Sequence, residues 1–326
     1  MLGKRTVLAE SWLAFCVLAL LCASALAQSY PTHPVKLIVT SSAGGPPDRT
    51  ARLLAQRLGE TLKQPVVVEN KTGAGTMLGA DFVAKSAPDG HTLLVSTNAS
   101  ISVGPMLRSQ SPYDPLKDFA HIALIGNFPF YFMVRSNHPA KTFREFVAIA
   151  KAKPGSLSYG SSGVGSLGNL IGELLKQKGG INILHVAYKG ATVAVSDLLG
   201  GHIDATFIAD SSAVEFVRSG KLRMLATATE KRVPAVPDVP TMNEIVPGVE
   251  GALWFGVSAP ARTPQAVIER LQAEILSGIA SSDMQTGLAG IGMTPIPLGA
   301  KDFVAFIQNE IRILAPIIKA GNIKVD

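Results

Sequence analysis

Glycines with the spacing of a phosphate-binding turn occur at residues 163–168, where the sequence reads GVGSLG. The pattern G-x-G-x-x-G is that of dinucleotide-binding loops, in which main-chain N–H groups and a helix N-terminus hold a pyrophosphate. A strand-like run at residues 157–159 precedes it, and a helix-like run at residues 169–178 follows. The segment therefore predicts an anion-binding turn, and a nucleotide is one candidate for the anion.

The surrounding sequence argues against a nucleotide. A dinucleotide site needs an acidic residue about 20 residues past the first glycine, and none occurs between Glu173 and Asp197. Lys189 leaves open a contact with the 2′-phosphate of NADP, so the missing acidic residue argues against NAD but does not by itself exclude NADP. Ser166 stands where a nucleoside-triphosphate loop has its lysine. We therefore expect no nucleotide and no other cofactor.

Other catalytic patterns are missing from the sequence. No H-E-x-x-H, G-x-S-x-G or S-x-x-K occurs, and the histidines are scattered. The sequence therefore predicts no catalytic residue and no metal site, and binding is favoured over catalysis. The histidines are His33, His91, His121, His138, His185 and His202.

Three donor-rich turns follow strand-like runs. The first loop is TSSAGGPPD (residues 40–48), the second is STNASISVG (residues 96–104), and the third is YGSSGVGS (residues 159–166). Each is expected to precede a helix N-terminus, where free N–H groups and the helix dipole favour an anion. A turn with an ordinary helix cap is the alternative for any one loop, but three together favour a ligand site. Pro46 and Pro47 remove two donors, and Asp48 suits the first helical turn structurally.

Strand-like and helix-like runs alternate along the chain, which predicts α/β lobes with parallel strands and helices on both faces. Residues 49–62, for example, have apolar residues at helical spacing. We expect a first lobe from residues 28–128 plus 250–326 and an inserted second lobe from residues 129–249. A ligand cleft would lie between the lobes, and the two crossing segments would form a hinge.

The N-terminus has the pattern of a secretory signal peptide. Lys4 and Arg5 precede an apolar run at residues 12–26, and Ala25-Leu26-Ala27 resembles a cleavage site. We expect cleavage after residue 27 and a periplasmic location; an uncleaved anchor is the alternative. The net charge of +6 is scattered, with no basic run or stripe, so nucleic-acid binding is not predicted.

Several segments together resemble the substrate-binding receptors of tripartite tricarboxylate transporters, also called Bug proteins. They include VVVENKTGAG, APDGHTLL, YDPLKDFAHIALI, HVAYKGATVAVSDLLGGHIDATF and WFGVSAPARTP, and the likeness covers nearly the whole chain after residue 27. The resemblance implies a two-lobed periplasmic binding protein of type II with a hinge and a central cleft. It also implies a small organic carboxylate as ligand, the membrane subunits of a transporter as partner, and a monomer.

The resemblance also implies which residues line the cleft, where the loops hold a ligand carboxylate partly through main-chain groups and water. Carried over by position, the ligand-binding residues are Ser42, Ala43, Gly44, Asp48, Thr97, Asn98, Ser161, Ser162, Gly165, Ser166, Ala209 and Asp210. This chain departs from the family pattern at Pro46-Pro47 and in AYKG, where PYKG is commoner. Asp210 could meet a ligand ammonium or hydroxyl group, or cap a helix starting near residue 211.

Two other functions stay open at this point. A sensory receptor could use the same ligand class, and an exported enzyme could use the same cleft. The sequence does not name the acid.

Overall fold

The computed structural model describes residues 30–209 and 212–325. The expected signal peptide and Asp210 lie outside the described residues. Among the described helices, none has the length and apolar character needed to cross a bilayer.

Strands and helices alternate along the chain. The strands are β1 (Val35–Val39), β2 (Val66–Asn70), β3 (Thr92–Thr97), β4 (Phe119–Pro129), β5 (Tyr131–Arg135), β6 (Ser158–Ser161), β7 (Leu184–Ala187), β8 (Ala205–Ile208), β9 (Leu222–Thr227), β10 (Ala252–Pro260) and β11 (Thr294–Gly299). The helices are α1 (Pro46–Leu62), α2 (Met77–Ala84), α3 (Val103–Met106), α4 (Phe143–Ala152), α5 (Leu167–Gly179), α6 (Ala191–Gly200), α7 (Ser212–Arg218), α8 (Met242–Ile245), α9 (Gln265–Ala280), α10 (Ser282–Gly290) and α11 (Ala300–Ala320).

The first sheet has the strand order β11-β4-β10-β3-β1-β2. Strand β1 runs parallel to β2 and β3, whereas β10 is antiparallel to both β3 and β4. Strand β11 is antiparallel to β4 at the edge. The expected parallel strands are present in β1, β2 and β3, but the sheet is mixed, because β10 brings the chain back from the second sheet in the direction opposite to β4.

The second sheet has the order β7-β6-β8-β5-β9, in which β6 is parallel to β7 and β8, and β5 is antiparallel to β8 and β9. The chain enters this sheet through Phe130 and leaves it through Gly251. Ala228 links the two crossings, because its N–H donates to Phe130 O at 2.8 Å and its carbonyl accepts from Gly251 N at 2.6 Å. The crossings are therefore adjacent in space.

Helices cover both faces of each sheet. On α1, the apolar side chains that the spacing marked are all buried, and they pack with α9 and α10 against the first sheet. Helices α4 and α5 pack on one face of the second sheet, and α6 and α7 pack on the other. The buried apolar residues of α1 are Ala51, Leu54, Ala55, Leu58 and Leu62.

Helix α11 contacts both cores. Phe303 and Ile307 pack against the first sheet together with Trp254, whereas Ile317, further along the helix, belongs to the core of the second sheet. Pro316 lies just before that contact. The last helix therefore bridges the two sheets beside the strand crossings.

Two strands escaped the sequence analysis for different reasons. Strand β4 is apolar along almost its whole length and is buried on both faces, so it shows no two-residue alternation. Strand β11 contains Pro295 and Pro297, which lack an N–H donor and are tolerated at the edge position that β11 occupies.

A prediction tests the packing of β10 against α11. A Cβ atom at Gly256 would overlap the ring of Phe303 and lie 2.8 Å from Ala123 O. We expect Gly256→Ala to lower the free energy of unfolding by about 1–3 kcal/mol through overpacking. Urea denaturation of the variant and the wild type measures this difference.

The control is Gly290→Ala, because nothing lies within 4 Å of a Cβ at this position in α10. Alanine favours the helix over glycine by up to about 1 kcal/mol, so this variant should be neutral or more stable. Equal stability of the two alanine variants would contradict the proposed packing.

Candidate functional site

The sheet topology gathers the predicted site residues at two sheet edges. The first and second loops follow β1 and β3, which are parallel neighbours, so both loops lie at the same edge of the first sheet. The third loop follows β6, and Ala209 follows β8, at one edge of the second sheet. Ala209 is partly buried there.

Asp48 ties the first loop together. Its carboxylate accepts from Gly44 N at 2.9 Å, from Arg52 Nε and Nη2 at 2.9 and 3.0 Å, and from Asn70 Nδ2 at 3.0 Å. The side chain is only 3% exposed. The hydrogen bonds from Arg52, followed by those from Gly44 and Asn70, outweigh burial and hold the pKa of Asp48 below its usual value. Asp48 therefore acts as an internal anion at the start of α1.

The exposed part of the first loop consists of Ser42, Ala43 and Gly44. Gly44 has φ +83°, a conformation that L side chains rarely adopt. Helix α1 begins with Pro46 and Pro47, which have no N–H to offer, and its N-terminus already faces Asp48. What this loop presents to solvent is therefore mainly the segment of residues 42–44.

The second loop is folded on itself. Ser100 Oγ accepts from Thr97 N at 3.0 Å, and Asn98 Oδ1 accepts from Ala99 N at 3.1 Å. Asn98 Nδ2 lies 3.4 Å from Ala252 O at the start of β10. Thr97 and Asn98 are almost fully buried. The helix that follows this loop, α3, is only four residues long.

The third loop caps α5 with its own side chains. Ser166 is the N-cap residue, and its Oγ accepts from Asn169 N at 3.4 Å. Gly165 N donates to Asn169 Oδ1 at 2.9 Å, and Gly165 has φ +75°. Ser166 Oγ donates to Gly163 O at 2.7 Å. Gly165 and Ser166 therefore shape the turn, and their polar groups are engaged within it.

A hydrogen-bond network under the third loop fixes the orientation of Ser161. The Oγ of Ser161 donates to Gly163 O at 3.0 Å and lies 2.7 Å from His185 Nε2. Because Asn169 Nδ2 faces His185 Nδ1 at 3.3 Å, the neutral imidazole carries its proton on Nε2 and donates it to Ser161. Burial lowers the pKa of His185, which favours this neutral form.

Tyr159 continues the network into the core. Its hydroxyl accepts from Asn169 Nδ2 at 3.3 Å and donates to Glu173 Oε1 at 3.0 Å, and Lys176 neutralises that carboxylate. Burial of the ring raises the pKa of Tyr159 and keeps the phenol protonated. The third loop is therefore supported by a network that runs from Ser161 to α5.

Ser162 differs from its neighbours in the third loop because its side chain is exposed. Beside it, the N–H groups of Leu167 and Gly168 lie in the first turn of α5, where an α-helix has no internal acceptor. Helix α5 is thirteen residues long, so its dipole adds to the attraction for an anion. This corner presents one hydroxyl group and two helix N–H groups.

The turn after β7 belongs to the same edge, although the sequence analysis did not select it. Strand β7 is parallel to β6, so residues 188–190 lie beside the third loop. Gly190 is the N-cap of α6 with φ +116° and no side-chain cap, and Lys189 is exposed. The pattern strand, Lys-Gly, helix was the available signal, because glycine before a helix leaves the N-terminus without a side-chain acceptor.

A small apolar cluster brings the second and third loops towards each other. Leu107, just after α3, packs with Leu170 of α5 and with Ile318 and Ile323 near the end of α11. A Cβ at Gly165 would lie 2.7 Å from Leu107. The edges of the two sheets that carry these loops therefore meet at this cluster.

Three potential metal ligands lie at the other end of the first sheet. Atoms of His33, Asp89 and His91 lie within 4.8 Å of one another, and the two imidazole rings stack at 3.7 Å. Thr32 N donates to His91 Nε2 at 3.2 Å, which leaves the proton on Nδ1 beside Asp89. In this tautomer neither ring nitrogen of His91 has a free lone pair, so His91 does not offer a ligand atom to a metal in this arrangement.

Comparison with known proteins identifies relatives along nearly the whole chain. The sequence model described as "Tripartite tricarboxylate transporter family receptor" matches residues 50–323. Protein BugT of Bordetella pertussis is 35% identical over 301 residues, which cover 92% of each chain.

Solved structures give the same relationship. The periplasmic binding protein BugD is 32% identical with a TM-score of 0.72, covering 90% of this chain and 99% of its own. MatC from Rhodopseudomonas palustris with bound malate is 31% identical with a TM-score of 0.71, covering 89% and 100%. The predicted two-lobed α/β binding-protein fold is thereby confirmed.

A prediction follows from the donors around Asp48. In Asp48→Asn an amide N–H would face donors of Gly44 or Arg52, so we expect the free energy of unfolding at pH 7 to fall by about 1–3 kcal/mol. Because the pKa of Asp48 is lowered in the folded protein, its contribution is present above the unfolded-state pKa of about 3.9 and is lost as the pH falls. The destabilisation should therefore shrink between pH 7 and pH 3, as measured by urea denaturation.

The control variant is Glu215→Gln, which removes a carboxylate from the exposed pair with Arg218. Its effect on stability should be within about 0.5 kcal/mol at both pH values. A deficit of Asp48→Asn that is the same at pH 3 and pH 7 would contradict the charged role of Asp48.

Proposed function

This chain belongs to the tripartite tricarboxylate transporter receptor family, and we propose that it binds a small organic carboxylate between two lobes and delivers it to the membrane subunits of such a transporter. The proposal rests chiefly on one observation. The second sheet directs the N-termini of two helices, α5 and α6, to a single edge beside the exposed hydroxyl of Ser162.

Main-chain donors at that edge suit a carboxylate better than a larger charged group. A carboxylate oxygen accepts from helix N–H groups, and the dipoles of α5 and α6 favour the negative charge. Lys189 adds an exposed cation at the same edge. Four charge-assisted hydrogen bonds contribute about 6–12 kcal/mol before ordering costs. Micromolar affinity requires about 8 kcal/mol, so it lies within reach.

The roles of the predicted ligand residues divide accordingly. Ser42, Ala43, Gly44 and Ser162 are proposed to face the ligand, since they are exposed on the loops. The other described ones are proposed to hold the loops in shape, mainly because their polar groups bond within the loops. These shaping residues are Asp48, Thr97, Asn98, Ser161, Gly165 and Ser166. Ala209 stays a candidate contact at the end of β8.

We propose that the lobes follow the two sheets, with residues 28–128 plus 250–326 in the first and 129–249 in the second. Strands β5 to β9 all fall inside the second range, which supports this division. We further propose that residues 1–27 direct the chain to the periplasm and are removed, and that the protein is a monomer without catalytic activity. MatC, a relative with bound malate, makes a dicarboxylate the first probe.

Thermal unfolding against a ligand panel tests the proposal. The panel contains mono-, di- and tricarboxylates, amino acids, aromatic acids and NADP. A ligand at a hundred times its Kd stabilises the folded state by about 2.7 kcal/mol, which raises Tm by several degrees. We expect such a shift with one group of carboxylates.

A shift with NADP alone would instead support a dinucleotide site in the third loop. Chemical conversion of the bound acid, detected by mass spectrometry, would show that the protein is an enzyme. Unchanged uptake of the binding acid in cells that lack the receptor would favour a sensory role over transport.

A second prediction concerns Ser162. We expect Ser162→Ala to weaken binding of malate, or of the acid with the largest thermal shift, roughly tenfold, because one charge-assisted hydrogen bond is lost. Isothermal titration calorimetry measures the affinity, and Tm without ligand should not change because the side chain is exposed. The matched control is Ser196→Ala, an exposed serine on α6 that bonds only Thr192 O. If both variants bind as tightly as the wild type, Ser162 is not in the site.

A further inference from the structure

Glu310 on α11 holds a carboxylate without a counter-ion beneath the second loop. Its Oε2 accepts from Trp254 Nε1 at 2.7 Å and from Ser102 Oγ. Within residues 30–209 and 212–325, no ion pair involves Glu310. Burial is the main cause that raises the pKa of Glu310 to about 7, and the two hydrogen bonds offset this only in part.

The titratable groups on neighbouring elements do not neutralise Glu310. Tyr113 and Arg108 donate to main-chain carbonyl groups, and Arg312 donates to Asn309 on its own helix. His121 on β4 is kept neutral because burial lowers its pKa to about 4. Among the residues that the structure describes, the charge of Glu310 therefore meets the neutral donors of Ser102 and Trp254.

Ser102 has two possible acceptors but a single hydroxyl proton. Its Oγ lies 3.3 Å from Asn98 O as well as against Glu310. An ionised carboxylate can only accept hydrogen bonds, so the hydroxyl group of Ser102 then donates its hydrogen bond to Glu310. A protonated carboxyl group can donate to Ser102 Oγ, which is then free to donate to Asn98 O. The protonation of Glu310 therefore decides which hydrogen bond the second loop receives.

A carboxylate held by the exposed segments of the first and third loops would act on this equilibrium through the second loop, which lies at the same edge of the first sheet as the first loop. The ionised form of Glu310 places a negative charge under the loop, and like charges disfavour each other most where water is excluded. A bound carboxylate would therefore favour the neutral form of Glu310.

We propose that Glu310 is a positioning residue of the ligand site, and that it takes up a proton when a carboxylate binds. This inference rests on the proposed function. Because binding favours the protonated form, affinity is highest at low pH and falls as the pH rises through neutrality. One linked proton changes affinity by at most tenfold per pH unit.

Titration calorimetry with malate, in buffers of different ionisation enthalpy between pH 6.5 and 8.5, tests the coupling. For the wild type we expect proton uptake of up to one per ligand and affinity roughly 3–10-fold weaker at pH 8.5. In Glu310→Gln an amide oxygen in the place of Oε2 can accept from both Trp254 and Ser102 without carrying a charge. It should bind with little pH dependence and no linked proton uptake. The control Glu60→Gln, an exposed carboxylate on α1, should keep the wild-type profile.

A ligand-free measurement separates the possible failures. Because the folded-state pKa of Glu310 is raised, the ionised group costs stability. The Tm of Glu310→Gln relative to that of the wild type should therefore increase as the pH rises from 5 to 8. A constant Tm difference, or malate binding with the same pH profile in both proteins, would overturn the inference and leave the proposed function standing. Absence of malate binding at every pH would contradict the proposed function for this acid, and the coupling with it.

Discussion

The pairing of β10 with both β3 and β4 is the constraint on which the architecture depends. Strand β10 begins where the chain returns from the second sheet and lies in the middle of the first, so one element fixes both the sheet and the position of the crossing. Its Trp254 packs against α11, and its first residue faces Asn98 of the second loop. The placement of the second loop relative to the crossing strands follows from this register.

Internal hydrogen bonds fix the conformation of the loops. Asp48 in the first loop accepts from several donors, and Asn169 under the third loop accepts from Gly165 N and donates to His185 Nδ1. Both side chains are almost fully buried. Fixed loops reduce the ordering cost of binding, so more of the interaction free energy is available for affinity. The Ser and Gly content of these loops thus supplies both the turn conformation and the caps, and leaves few groups to face the anion.

Local patterns in the sequence predicted much of the fold. The apolar stripe of α1 could be predicted because it follows the helical period. The place of Asp48 in the first helical turn suggested a structural role, and its carboxylate accepts hydrogen bonds from Arg52. The direction of the strands could not be predicted from local sequence patterns, because it depends on where β10 inserts into the first sheet. Ser161 and Ser166 resemble ligand contacts in the sequence, yet their hydroxyl groups bond within the turn. Glu310 lies 208 residues from its partner Ser102, so no local pattern connects them.

The late position in the chain of both strands that pair with β4 has a consequence for how the chain folds. Strand β4 lies between β10 and β11, so both of its hydrogen-bonded neighbours come from residues after 251. A chain that emerges from the ribosome or an export channel with its N-terminus first exposes an apolar, unpaired strand until its final segment arrives. Such a polypeptide stays unfolded enough to pass through an export channel for most of its synthesis.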